Sequence, residues 1–182
     1  MRELLKRNRL RINRELASYD SRKYFSPSCY ADSIVTVHAL LVHLQGKCID
    51  IGCGDMPFRS LIEERVNQYD SIDIERRTSN VKYLGDIQDM NMIDNDNYDS
   101  ALCLEVLEHV PNPFKALSEI HRILKKGAKL VCSAPHLSRL HEEPHDYYRY
   151  TKYGLRYLFE NSGFRVISIE PCGGIQQTGG RS

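Results

Sequence analysis

Two glycines at the end of an apolar run, Cys48-Ile-Asp-Ile-Gly-Cys-Gly-Asp55, mark where this sequence can bring main-chain N–H groups up to a ligand. Gly52 and Gly54 let the chain turn sharply and leave no Cβ in the ligand's way. Asp73 follows Gly52 by 21 positions, the distance at which an acid ending a second strand can accept hydrogen bonds from both hydroxyls of a ribose. Asp86 ends a third apolar run and reads equally well as a loop or capping residue. Met56, Pro57 and Phe58 stand where a dinucleotide-binding loop carries its third glycine, so a pyrophosphate cradle is not supported.

A second set of residues can move protons. Histidine titrates near pH ~6.5 and is the natural general base for a hydroxyl nucleophile. His109 follows Glu105 and Glu108, and structural hydrogen bonding is its plainer role. His141 and His145 flank Glu142, Glu143 and Pro144, and Asp146 could orient one of them as a base. The plainer role of that stretch is a loop pinned by Asp146 and Arg149, with Tyr147, Tyr148 and Tyr150 as packing. His136, His141 and His145 offer nitrogen ligands, but their spacing matches no strong metal motif, and no metal is expected.

The elements that must position these residues alternate. Lys47 to Ile51 is a short apolar strand, and Pro57 to Asn67 carries Phe58, Leu61, Ile62 and Val66 at helical spacing. Tyr69 to Ile74, Val81 to Ile87, Ser100 to Val106, Ala128 to Ala134 and Phe164 to Ile169 read as further strands. Helices are predicted over Phe114 to Leu124, after Pro111-Asn-Pro113 and before Lys125-Lys-Gly127, and over Lys152 to Asn161, before Gly163. Fully apolar strands alternating with helices predict an α/β fold with a mostly parallel sheet and ligands beyond the strands' carboxyl ends. Residues 1–46 are expected to be an N-terminal helical segment, 47–172 the ligand-binding domain, and the Gly-rich 173–182 a flexible tail.

Composition narrows the class. At 182 residues and 21.0 kDa, one core is expected. A net charge of +1 gives no whole-domain footprint for nucleic acid or an anionic membrane. Six basic residues against Glu3 and Glu15 between Met1 and Leu16 form the one local basic patch, read as a solvated helix face. Six scattered cysteines without a CxxC pair fit a reducing compartment, and no apolar run approaches the ~20 residues that cross a bilayer. The expected location is cytoplasmic.

Ile49-Asp-Ile-Gly-Cys-Gly54, then Gly85-Asp-Ile87, then Tyr98-Asp-Ser-Ala-Leu-Cys-Leu-Glu-Val-Leu-Glu-His-Val110 resemble, in order and spacing, class I S-adenosylmethionine-dependent methyltransferases of the ubiquinone/menaquinone-methyltransferase-like group. Pro57-Phe-Arg59, the run His141 to Thr151 and Tyr153-Gly-Leu-Arg-Tyr157 look like one of its subgroups, and the resemblance spans about Lys47 to Gly174. It implies a Rossmann-like, doubly wound sheet with S-adenosylmethionine as cofactor. Asp50, Gly52 and Gly54 would hold the methionine portion and Asp73 the ribose. Asp86 and Ile87 would face the adenine and Ile74 pack on it, while Leu104 and Glu105 would lie near the sulfonium. The group usually finishes its sheet with an antiparallel strand, and nothing after Ile169 reads as one. An edge left unpaired invites self-association, so a homo-oligomer is a candidate partner.

The implied reaction is direct in-line attack of an acceptor atom on the sulfonium methyl, with the protein supplying alignment at roughly 3 Å, exclusion of water and a base. His141 and Asp146 are the catalytic candidates, with His109 as the alternative. Leu104-Glu-Val-Leu107 stands where DNA-directed relatives carry Asn-Pro-Pro-Tyr, so a small-molecule, lipid or glycan acceptor is expected and no nucleic acid. Gly52→Val is expected to abolish ligand binding while leaving most of the fold. Two rivals remain: a non-catalytic module of the same fold, and an NAD-dependent oxidoreductase, which Pro57 disfavours.

Overall fold

The computed structural model describes residues 41–171. The expected tail, and all of the N-terminal segment except the 3-10 turn Leu41–His43 and the residues leading into the sheet, lie outside them.

Strand β1 (Lys47–Ile51) is buried from its second residue onward because it is the middle of the sheet. It pairs in parallel with β2 (Gln68–Asp73) on one side and β4 (Tyr98–Leu104) on the other, with Ile51 opposite both Ile72 and Cys103. Strand β3 (Tyr83–Leu84) lies outside β2, and β5 (Leu124–Ser133) outside β4, giving the order β3-β2-β1-β4-β5, all parallel. The chain leaves β1 toward β2 and returns on β1's other side as β4. That reversal places a crevice beyond the carboxyl ends of β1 and β4, where open α/β sheets bind ligands. This is the Rossmann-like arrangement expected.

Helix α1 (Arg59–Glu63) is barely more than one turn, shorter than the expected Pro57 to Asn67. The main-chain N–H groups of Asn67 and Gln68 both turn to the carbonyl of Gly46, at 2.7 and 3.3 Å, and so start β2 instead of extending the helix. Helix α2 (Pro113–Ile123) begins as its sequence dictates: Asn112 Oδ1 accepts the Lys115 N–H at 3.1 Å and Pro113 occupies the first turn. Ala116, Leu117, Ile120 and Ile123 recur at helical spacing and are fully buried. Together with Ile49, Ile51, Ile72, Tyr98 and Cys103 they belong to one continuous core. Helix α3 (Lys152–Asn161) has the expected bounds, with Thr151 as its cap, and buries only Leu158.

Three strand expectations change. The third, Val81 to Ile87, shrinks to two residues, because Lys82 N–H goes to Ser71 Oγ and Ile87 turns into the core. The fifth starts at Leu124 without a separate turn. Four residues loop out between Leu124 and Lys129 opposite the single Asp99 of β4, and Lys125 Nζ meets Asp99 Oδ1 at 2.8 Å. The sixth does not form: 164–169 has no ladder partner among the described residues, and Ile167 is 77% exposed. An apolar run becomes a strand only where another strand lies beside it, and among the described residues none lies outside β5.

Candidate functional site

The glycine loop is held by β2 as it leaves β1. Gly52 and Cys53 donate their N–H groups to the Ile72 carbonyl at 2.9 and 3.3 Å, which bends the chain toward β2. Gly52 has φ +67°, and a Cβ there would lie 2.4 Å from Val106 Cγ2, so the chain leaving β4 packs directly on the turn. Gly54 has φ +52°, and a Cβ there would meet nothing within 4 Å. One glycine closes the loop against protein, and the other faces open space.

Asp73 ties that loop to β2. Its Oδ2 accepts the Gly54 N–H at 2.8 Å and its Oδ1 the Glu75 N–H at 3.0 Å. The residue is only 6% exposed, whereas the neighbouring Ile74 is 69% exposed and free to cover a flat ligand. Each carboxylate oxygen keeps a second lone pair for hydroxyl donors. Asp50, also 6% exposed, accepts the Tyr69 hydroxyl at 2.7 Å. Neither acid has a Lys or Arg partner among the described residues. Burial pushes the Asp50 carboxyl up to about 6 and the charge of Asp73 adds to this, against the opposing Tyr69 hydrogen bond.

The Asp50 shift has a definite sign. A folded carboxyl held above its ordinary value of 3.8 binds more protons than the unfolded chain between about pH 4 and 6, so stability falls as pH rises through that window. Asp50→Asn, which keeps an acceptor for Tyr69 without the charge, is expected to gain about 3 kcal/mol over the native protein at pH 7 and almost nothing at pH 4. Chemical denaturation at the two pH values measures it, and a gain that is equal at both would contradict the burial argument.

The remaining residues expected around the adenine sit differently. Asp86 is exposed and folds onto its own loop, accepting the Gln88 N–H at 2.8 Å and its side-chain amide at 2.9 Å. The Ile87 side chain belongs to the core. The Gly85 N–H donates to the Asp73 carbonyl at 2.9 Å, which holds this loop beside the acid.

At the end of β4, Leu104 is half-buried and Glu105 takes the left-handed conformation, φ +53°, a strain of roughly 1–3 kcal/mol for a residue with a side chain. Ser133 on β5 holds it there: its hydroxyl and carbonyl accept the Glu105 N–H at 3.2 Å each, and the hydroxyl donates to Glu105 Oε1 at 2.7 Å. A 3-10 turn, Leu107–His109, follows.

The segment 136–151 is fastened to that turn. The Glu108 carbonyl accepts the N–H groups of Tyr147 and Tyr148 at 2.8 and 3.2 Å, and the Leu107 carbonyl accepts the Tyr150 hydroxyl at 2.9 Å. Tyr148 donates its hydroxyl to the Pro111 carbonyl at 2.8 Å. Farther out, Glu142 reaches Arg77, on the connection between β2 and β3, at 3.9 Å. The segment therefore crosses from the end of β5 over the strand ends to the β2 side.

Of the three histidines expected in this segment, only His141 joins a cluster. His136 Nδ1 lies 2.9 Å from the Tyr150 carbonyl, and His145 Nδ1 3.1 Å from the Tyr147 hydroxyl. His141 stacks edge-on against His109 with ring centroids 4.8 Å apart. Both point Nε2 at Glu108 Oε1, at 3.9 and 3.8 Å. Asp146 does not hold the His141 ring directly. Its oxygens take Arg149 at 2.6 and 2.8 Å and the His141 main-chain N–H at 2.9 Å, while the ring nitrogen stands off at 3.6 Å. Arg149 holds the Asp146 carboxyl well below the usual range.

Glu108 is the residue that sequence reasoning passed over. It is 0% exposed and neither carboxylate oxygen has a hydrogen-bond partner. Burial, then the charge of Glu105, push it up to about 8. The available signal was its place between Leu107 and Val110, both apolar and both buried.

The described helices include none long and apolar enough to cross a membrane. A methyltransferase-domain family profile matches residues 3–169. An uncharacterised protein of Methanocaldococcus jannaschii is 30% identical over 150 residues, 76% of this chain and 66% of its own length. A ubiquinone biosynthesis O-methyltransferase of Idiomarina loihiensis is 28% identical over 100 residues, 48% of this chain and 41% of its own. The chain thus spans less than two thirds of the length of either curated relative. The crystal structure of an S-adenosylmethionine-dependent methyltransferase from Mesorhizobium loti superimposes with a TM-score of 0.63 at 16% identity, over 76% of this chain and 83% of that one. With the crevice, the glycine loop and the profile in agreement, the chain belongs to the methyltransferase-domain family, of the class that uses S-adenosylmethionine.

Proposed function

We propose that this chain transfers the methyl group of S-adenosylmethionine to a small-molecule, lipid or glycan acceptor. The observation that carries the reading is the turn Gly52 to Gly54, open above Gly54 and tied by its N–H to Asp73 at the sheet's reversal point. In this reading Asp50, Gly52 and Gly54 meet the methionine portion, where a buried and unpaired carboxylate suits an α-ammonium. Asp73 takes the ribose hydroxyls, Ile74 covers the adenine beside the Asp86–Ile87 loop, and Leu104 and Glu105 border the sulfonium. The acceptor's electron pair forms the new bond to the methyl carbon as the S–CH3 bond breaks, leaving S-adenosylhomocysteine as a neutral thioether. Calorimetry with S-adenosylhomocysteine against NAD tests the reading, followed by transfer from radiolabelled S-adenosylmethionine to an acceptor panel. Binding of NAD alone would refute it.

The segment His141 to Thr151 is assigned to the acceptor side. It roofs the strand ends and carries His141 into contact with His109. His141 is the proton acceptor in this reading, with His109 as the alternative, and Asp146 is a positioning residue that sets His141 through its main chain. His141→Ala and Asp146→Asn are expected to lower kcat by about 10²-fold or more while S-adenosylhomocysteine affinity stays within a few-fold. The double variant should be little worse than either single one, because both act on one imidazole. Near-normal turnover in both single variants would leave the segment as packing.

A further inference from the structure

Glu108 poses a problem of charge. A fully buried carboxylate without a hydrogen-bond donor is among the costliest arrangements a fold can hold, and native structures satisfy it with a proton, a cation or a metal. The groups facing it make the need specific. His109 Nδ1 lies 2.6 Å from the His145 carbonyl and His141 Nδ1 3.2 Å from the Arg139 carbonyl. The His145 carbonyl makes His109 Nδ1 the donor and leaves that ring's lone pair on Nε2. His141 Nδ1 faces both the Arg139 carbonyl and, at 3.4 Å, the Arg149 guanidinium, and the tautomer that donates to the nearer carbonyl likewise leaves the lone pair on Nε2. Both lone pairs then converge on Glu108 Oε1 at 3.8 and 3.9 Å, beyond hydrogen-bond range, with three electron-rich atoms turned toward one point.

We propose that Glu108, His109 and His141 form a binding site for a divalent transition-metal ion of the zinc type, taken by one carboxylate oxygen and the two Nε2 atoms. Their ligand atoms all lie within 4.8 Å of one another. Metal–ligand bonds of about 2.0–2.2 Å at tetrahedral angles place ligands about 3.4 Å apart, so each imidazole must close on the carboxylate oxygen by about half an ångström and the widest pair of the three by up to about 1.4 Å. The carbonyls on the two Nδ1 atoms are the outer partners that fix tautomer and ring direction in metal-bound histidines. Two imidazoles and one carboxylate suit zinc, cobalt or iron(II) better than magnesium or calcium, which prefer oxygen. Three protein ligands leave at least one position for water or an oxygen of the acceptor. With the ion bound, His141 acts as a ligand and not as a base. The reduced turnover expected of His141→Ala fits either role, whereas ion binding separates them.

The site is tested by metal binding to the full chain, stripped with chelator and free of cofactor and acceptor, so the outcome does not depend on the methyl-transfer reading. Calorimetry with Zn²⁺ is expected to show one equivalent. His109→Ala, His141→Ala and Glu108→Gln should each weaken it by more than about tenfold, and His136→Ala, whose ring is turned to the Tyr150 carbonyl, should leave it unchanged. Co²⁺ should give a ligand-field spectrum without the intense charge-transfer band of thiolate ligation. Circular dichroism confirms that each variant is folded, and His141, half-buried in a loop, is the substitution least able to disturb the core. Absence of Zn²⁺ binding to the native protein, equal affinity in the folded histidine variants, or a thiolate spectrum would each overturn the proposal.

Discussion

Asp73→Ala is expected to lower S-adenosylhomocysteine affinity by about 10²-fold or more. Two ribose hydroxyls donating to one carboxylate contribute roughly 1.5–3 kcal/mol each, and tenfold in affinity corresponds to about 1.4 kcal/mol. The structure adds a second loss, since Asp73 also holds the Gly54 and Glu75 N–H groups at 2.8 and 3.0 Å. Without it the glycine loop loses its tie to β2 as well as the acceptor proposed for the ribose. Asp73→Asn keeps one acceptor oxygen but turns an amide toward one of these donors, and should fall between native and alanine. Calorimetry on each variant, with denaturation to confirm folding, decides the matter. Unchanged affinity in a folded Asp73→Ala protein removes the residue from the site.

The two glycines are expected to fail in different ways. Gly52→Ala should destabilise the protein by roughly 2–5 kcal/mol, combining about 1–2 kcal/mol for a left-handed non-glycine residue with about 1–3 kcal/mol for overpacking. The overpacking follows from a Cβ 2.4 Å from Val106 Cγ2. Such a loss is a large part of the ~5–15 kcal/mol that holds a domain together. Gly54→Ala meets nothing within 4 Å and should cost only the backbone strain, yet it should lose S-adenosylhomocysteine binding if the open space belongs to the ligand. The contrast corrects the expectation that a branched side chain at Gly52 spares the fold, because Val106 already fills the space on the Cβ side of that turn. Val106→Ala should recover part of the Gly52→Ala loss. Equal melting temperatures for the two glycine variants would contradict the assignment.

The central strands were legible because their positions demand apolar residues on both faces. Expected bounds for β1, β2 and β4 differ from the observed ones by two residues or fewer, and α3 by none. The edges were not legible, since a strand there depends on what lies beside it. Val81 to Ile87 and Phe164 to Ile169 have equally good strand composition, yet one yields two paired residues and the other none. Within the site, the glycine loop and Asp73 follow from local turn chemistry and strand ends. Glu108 does not, because its burial is imposed by His141 and the tyrosines more than thirty positions later. For Asp146 the sequence offers two roles, orienting a histidine or pinning the loop with Arg149, and the structure shows Arg149 on its carboxylate.

The central position of β1 also governs how the chain can be made. Its partner β4 lies about 50 residues downstream, with Cys48 opposite Ser100. As the chain emerges from the ribosome, β1, β2 and β3 can assemble first, leaving one side of β1 as an uncovered edge of the apolar residues Cys48, Ile49 and Ile51. At about 5–20 residues per second that edge waits several seconds for β4. An unpaired, apolar edge is the surface most prone to join another nascent chain. Asp99 shortens the search once it appears, because its carboxylate accepts the Lys47 N–H at 2.8 Å and pins the start of β1 to β4 in register. The strand order that creates the ligand crevice therefore also sets a vulnerable interval in biogenesis, which ends with the synthesis of Tyr98 to Leu104.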